Sequence, residues 1–166
     1  MLRFTPLSLY ATCAFATHLG SRAPDGVPSF VVDYAPIVYL HSQDPYLPSD
    51  IGAQLINTEP RVNFTIVEST PSPLTLDNLA DLNSLGGEDV YLTSKIKPDE
   101  DPKYLRGVLP NDDGRTEGAV SSVVIVNDHK DGTVDAFYFY FTAFDYGGDY
   151  VGQNIGNHVG EISATP

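Results

Sequence analysis

A single cysteine, no tryptophan and a shortage of positive charge restrict this 166-residue chain before any motif is read. One thiol cannot close an intramolecular disulfide, and Cys13 lies in a segment that reads as cleaved, so the mature chain lacks cysteine for zinc ligation or nucleophilic catalysis. Lys and Arg number 9 against 22 Asp and Glu, a formal charge of -13. Nucleic acid is excluded by that balance, because phosphate binding needs a basic face, and anionic membrane surfaces are disfavoured for the same reason. A divalent cation or a neutral, hydroxyl-rich ligand stays compatible. No stretch reaches the roughly 18 apolar residues of a membrane span. Also missing are the G-x-S-x-G elbow, the phosphate-binding G-x-x-x-x-G-K-S/T, H-E-x-x-H and G-x-G-x-x-G, which leaves no catalytic motif to argue from.

What is present is aromatic and turn-rich: 10 Tyr and 8 Phe among 13 Pro and 14 Gly favour short strands and many turns over long helices. Residues 1–16, MLRFTPLSLYATCAFA, have the outline of a secretory signal: Arg3, an apolar run and Ala14-Phe15-Ala16 as a small-x-small cleavage site. A first strand is the competing reading, and Ser21-Arg22-Ala23 is a second processing point. Residues 17–29 read as a linker and 30–166 as one β-rich domain. Entry into the secretory route would make Asn63-Phe64-Thr65 a glycosylation acceptor at Asn63.

The domain is organised around Ala119 to Phe144. Ala119 to Val126 is apolar on both faces and reads as a strand covered on both sides. The turn formers Asn127 to Gly132 follow, with a positive φ expected at the glycine. Beyond them, period two puts Phe137, Phe139 and Phe141 on a core face and Ala136, Tyr138 and Tyr140 on a half-buried face, where each tyrosyl hydroxyl needs water or a backbone partner.

Elsewhere, Phe30 to Leu40 looks strand-like with an interruption at Pro36, and Val62 to Val67 and Val90 to Thr93 look like strands. Leu76, Leu79, Leu82 and Leu85 recur every three residues, predicting the one short helix, with Thr75 as cap and Gly86-Gly87 as stop. Ile51 to Leu55 is a short apolar patch. Lys95 to Gly118 reads as a solvated excursion containing a turn at Asn111 to Gly114. Gly148, Gly152, Gly156 and Gly160 sit among polar residues and read as a flexible loop. The fold class expected is mainly β, with sandwich-like antiparallel sheets, one short helix and a C-terminal side that lacks strands. An interrupted sheet of that kind predicts self-association through Val120 to Val126 or Phe137 to Phe141.

Two polar constellations are candidate sites. His41, Asp44 and Asp50 share a proline-stiffened loop where imidazole and carboxylates could bind a metal, although turn formation by Asp accounts for them as well. Asp145, Asp149 and His158 flank the glycine-rich segment and could form half of a cation site.

Asp33-Tyr34-Ala35-Pro36-Ile37-Val38-Tyr39-Leu40-His41-Ser42, Asp44-Pro45-Tyr46-Leu47-Pro48-Ser49-Asp50, Pro73-Leu74-Thr75-Leu76-Asp77-Asn78-Leu79, Val134-Asp135-Ala136-Phe137-Tyr138 and Gly156-Asn157-His158-Val159-Gly160 occur in order. Together they resemble the fungal vacuolar protein sorting-associated protein 62 family from about Val27 to Gly160. The resemblance implies a non-enzymatic protein of vacuolar sorting, secreted or vacuolar, with no cofactor expected in this chain and a divalent cation as the alternative in its full-length relatives. Longer members continue after His-Val-Gly into Asp-Trp-Glu-His, whereas this chain continues Glu161 to Pro166, as a truncated relative would. That absent segment resembles the centre of necrosis- and ethylene-inducing toxin-like proteins, whose β-sandwich holds a divalent cation beside a sugar-headgroup lipid site. From it follows the alternative of a secreted, cation-dependent binder of a glycan or sphingolipid headgroup, to which His158 would carry over. A metal-assisted hydrolase using His41, Asp44 and His158 is the remaining reading.

Overall fold

The paired strands expected around Asp131 are present, and the second of them is the longest among the described residues. A computed structural model describes residues 27–165, so the signal at 1–16, Cys13 and nearly all of the 17–29 linker lie outside the described residues. In chain order the elements are α1 (Ser29–Asp33), α2 (Ile51–Asn57), β1 (Thr58–Val62), β2 (Thr65–Ile66), β3 (Tyr91–Ser94), β4 (Ser122–Asp128), β5 (Val134–Asp145), β6 (Asp149–Tyr150), β7 (Gln153–Asn154) and β8 (His158–Thr165). They build two three-stranded antiparallel sheets, β2-β1-β3 and β4-β5-β8, and a small hairpin of β6 and β7. The strand-rich, antiparallel character expected from composition is therefore present.

In the β4–β5 hairpin Asp128 pairs with Val134, Ile125 with Phe137 and Val123 with Phe139. The turn is closed by local carboxylates: Asp128 accepts from the Lys130 N–H at 2.8 Å, and Asp131 accepts from the Thr133 N–H at 2.9 Å. Gly132 has the anticipated positive φ, 94°, and Lys130 shares the left-handed region at 64°. The tyrosine face behaves as polar-tipped aromatics should. The Tyr138 hydroxyl donates to the Val31 carbonyl at 2.5 Å and that of Tyr140 to the Pro36 carbonyl at 2.7 Å, pinning the N-terminal segment across the sheet.

Those two bonds explain the first correction. Ser29–Asp33 is a short helix rather than a strand, and it begins inside the expected linker. Val31 and Val32 favour a strand by propensity, but Val31 is only 1% exposed. Burial at that position decides the local conformation against a preference worth a fraction of a kcal/mol, roughly. Residues 35–40 continue without joining a sheet.

The core lies in two clusters. Leu105, Phe141, Ala143 and Phe144 form one, and Leu55, Leu74 and Leu82 the other; Ile51 of α2 packs against both. α2 is thus the joint of the fold, where the sequence by itself shows only a short apolar patch at Ile51 to Leu55. Its N-cap is Asp50, whose carboxylate accepts from the Gly52 and Ala53 N–H groups at 3.3 and 2.9 Å and also from the Val120 N–H at 2.9 Å. One side chain therefore satisfies two orphan donors of the helix and ties the approach to β4.

Further corrections follow from packing and turns. Of the leucine run, Leu79 and Leu82 lie in a 3₁₀ helix at Leu79–Ser84, which suits a spacing of three because i and i+3 eclipse in that geometry, and a separate 3₁₀ turn follows at Gly87–Asp89. Thr75 is not the cap; its N–H donates instead to Asn78 Oδ1 at 2.8 Å. Val62 to Val67 is not one strand, since Asn63 and Phe64 turn it back and β2 pairs with β1. The Lys95 to Gly118 excursion is partly core, because Leu105 is 1% exposed. Its expected turn is present, with Gly114 N–H donating to the Asn111 carbonyl. The strand ahead of Asn127 is not covered on both sides: Val123 and Ile125 are 44% and 53% exposed. On the phenylalanine face only Phe141 is buried; Phe139 is half-buried and Phe137 exposed. Ile51, Val123, Ile125, Phe139 and Phe141 line an apolar groove of about 240 Å³ there. Finally, His158–Thr165, which carries no strand pattern, pairs along β5 from Asp145 to Tyr138. The sheet has its third strand, and the glycine-rich segment is structured as the β6–β7 hairpin.

Candidate functional site

The strap from Tyr46 to Asp50 positions a second groove. Leu47 N–H donates to the Arg106 carbonyl and Val108 N–H to the Pro48 carbonyl, at 3.1 and 2.9 Å, while Ser49 N–H donates to the Phe141 carbonyl at 2.8 Å. The strap is therefore hydrogen-bonded on one side to the 106–108 segment and on the other to β5. Ser49 is fully buried, and its hydroxyl donates to the Leu47 carbonyl and accepts from the Ala143 N–H, both at 3.0 Å. Gly107 (φ 73°) makes the close approach possible, because a Cβ there would lie 2.0 Å from the Leu47 carbonyl oxygen.

With the strap locked, Tyr46 and Arg106 are brought to Phe144 at the end of β5. The Tyr46 and Phe144 rings meet at 4.7 Å between centroids, tilted by 53°. The Arg106 guanidinium sits 4.9 Å from the Tyr46 ring centre and binds Asp101 in a bidentate manner, Nε to Oδ1 at 2.8 Å and Nη2 to Oδ2 at 2.7 Å. Hydrogen bonding to Arg106 lowers the Asp101 pKa, and the reciprocal bond raises that of Arg106. Both groups are solvent-exposed, so this pair orients more than it stabilises. Together with Pro98, Asp99, Tyr146 and Asn157 these residues enclose a groove of about 460 Å³. Asn157 is held by accepting from the Gly147 N–H at 3.0 Å. Gly147 is needed because a Cβ would stand 2.2 Å from the Ile155 carbonyl oxygen. An aromatic wall beside fixed donors and acceptors suits a polyhydroxylated ligand, whose C–H faces pack on rings while its hydroxyls exchange hydrogen bonds.

The sequence candidates are distributed differently. His41 Nδ1 accepts from the Gln43 N–H at 3.2 Å and Asp44 Oδ1 from the Tyr46 N–H at 2.9 Å, which is turn chemistry; Asp50 caps α2. Asp145 and His158 are opposite each other in the β5–β8 register, and Asp149 stands in the following hairpin. Among the described residues no group of three or more His, Cys, Asp or Glu stands close enough to hold a metal ion. Tyr46, Asp101, Arg106 and Phe144 were missed as a set because they converge from three separated stretches. The one local signal was Tyr46 within the stiff loop.

No family model matches the chain, and no solved structure matches it. Over 152 residues it is 35% identical to the putative vacuolar protein sorting-associated protein TDA6 of Saccharomyces cerevisiae, an alignment covering 84% of this chain and 32% of that protein. To vacuolar protein sorting-associated protein 62 of the same yeast it is 30% identical over 152 residues, covering 81% of this chain and 31% of that protein. The chain is homologous to both, and the likeness to the vacuolar protein sorting-associated protein 62 family runs over most of its length. It spans about a third of the length of these curated relatives.

Proposed function

We propose that this chain is a non-catalytic part of a protein associated with vacuolar protein sorting, acting within the secretory route. The observation that carries the reading is the homology, which extends over 81–84% of the chain to two proteins bearing that description. The turn and capping duties of His41, Asp44 and Asp50 support a role without catalysis. The test is disruption of the gene followed by assay of a vacuolar hydrolase in the growth medium. Escape of the hydrolase, reversed by the intact gene and by an Asp44→Asn variant alike, is the expected result; unchanged sorting refutes the role.

The Tyr46–Arg106 groove favours a second reading, that of a secreted, cation-dependent binder of a glycan or sphingolipid headgroup. Its mixture of aromatic and hydrogen-bonding walls is what supports it. The Asp145–His158 cross-strand position is where a divalent cation would find its first ligands. Calorimetry with methyl glycosides, with and without calcium, decides this: heat that requires calcium and is lost in Arg106→Gln supports the reading, and no heat for any glycoside ends it.

A further inference from the structure

The β1–β2 hairpin turns on Asn63 and Phe64, with φ of 48° and 66°. Two consecutive left-handed residues make a turn of the type whose second position ordinarily holds glycine, because a side chain there is strained. Phe64 occupies it with 94% of its surface exposed. The hairpin does not require phenylalanine: the hydrogen bond from Arg61 Nη1 to its carbonyl at 2.9 Å uses a backbone atom that any residue supplies. Asn63 by contrast suits its position, since asparagine tolerates the left-handed region. Asn63, Phe64 and Thr65 are all exposed; the first two form the turn, and Thr65 opens β2, an edge strand of its sheet.

We propose that Asn63 carries an N-linked oligosaccharide and that the Phe64 ring, held outward by the turn, is the apolar platform on which the first sugar ring lies. This rests on the chain entering the secretory route. Both features that the turn alone leaves unexplained, an acceptor triplet on an accessible tip and a bare aromatic ring beside it, then have one cause. A sugar ring offers a face of C–H groups that packs on an aromatic face, removing from water apolar surface that the described residues leave uncovered. In the transfer, Asn63 Nδ2 forms a bond to the anomeric carbon of a lipid-linked oligosaccharide supplied by the host's membrane transferase. The bond from that carbon to the lipid diphosphate breaks, the electron pair leaves on the diphosphate, and the amide loses one proton.

Translation of the full chain with microsomes, followed by protease, reads entry and modification separately. The expected result is protected chain carrying extra mass that an endoglycosidase removes, and that is absent from both Asn63→Gly and Thr65→Val. Glycine suits the backbone at 63 and valine keeps β2 branched, so loss of the glycan in these variants cannot be ascribed to a failed hairpin. Protected chain without the added mass overturns the site and leaves the secretory reading standing. Unprotected chain sinks the secretory reading instead, and the same full chain behind a foreign cleavable signal then tests the site alone, where absence of the mass overturns it. For the platform, the melting temperatures of glycosylated and enzymatically deglycosylated protein are compared. A gap in the wild type that disappears in Phe64→Gly is expected, and a gap that persists in Phe64→Gly removes Phe64 from the proposal.

Discussion

Replacing Gly107 by alanine probes how the groove is held, because a single methyl group acts on two independent constraints. Gly107 combines φ 73° with ψ -166°, a region in which residues other than glycine are strained by about 1–3 kcal/mol. The added Cβ would also lie 2.0 Å from the Leu47 carbonyl oxygen and 2.6 Å from its carbon, where 3.4 Å is ordinary contact. Both neighbours are backbone, so no rotamer change relieves the clash. The strap must move by more than about an ångström, weakening the Leu47 to Arg106 and Pro48 to Val108 hydrogen bonds at about 1 kcal/mol each. The expected loss is about 3–5 kcal/mol, a large part of the stability of a domain this size. Gly114→Ala is the control: its φ is 76°, but nothing lies within 4 Å of its Cβ, so it bears the backbone strain alone, about 1–2 kcal/mol. Urea denaturation followed by far-ultraviolet circular dichroism measures both. If the two variants lose stability equally, the close approach of the strap is not what holds the groove together.

Ser49→Ala leaves the buried Ala143 N–H without its acceptor and is expected to cost about 1–3 kcal/mol in the same melts; a neutral result would show that the strap does not need the hydroxyl. Phe141→Ala, at a position 6% exposed, should cost about 3–5 kcal/mol, whereas Phe139→Ala, half-buried beside the apolar groove, should cost distinctly less, and equal losses would contradict the burial order. Hydrogen bonds from Arg106, Lys130 and Thr133 depress the carboxyl pKa values of Asp101, Asp128 and Asp131 respectively. A depressed folded-state pKa contributes stability above the unfolded value, near 3.9, that is lost as pH falls through the lower folded value. Urea midpoints should therefore drop below about pH 4, and by less in Asp128→Asn; an unchanged slope in that variant would show that its bonds to Lys130 do not contribute.

The sequence by itself determined what depends on near neighbours along the chain. Alternation over Val134 to Phe141 requires opposite faces because successive strand residues point oppositely, and a tyrosyl hydroxyl brought into an interior demands a partner, so both sides of β5 could be assigned. Turn chemistry is equally local: Asp128 and Asp131 accept from N–H groups two residues on, and Gly132 supplies a positive φ. The order of short motifs carried the family, which needs no coordinates. Only the tertiary structure decided which apolar residues are buried, since Phe137 and Phe141 share one face but differ in what covers them. It also decided α1, where burial of Val31 overrides β propensity, and β8, whose residues pair because β5 offers an open ladder of N–H and C=O groups. The candidate site belongs to the same category. Tyr46, Asp101, Arg106 and Phe144 become one groove because Gly107 lets two backbone segments touch, and a contact between segments far apart in the chain leaves no period or spacing in either of them.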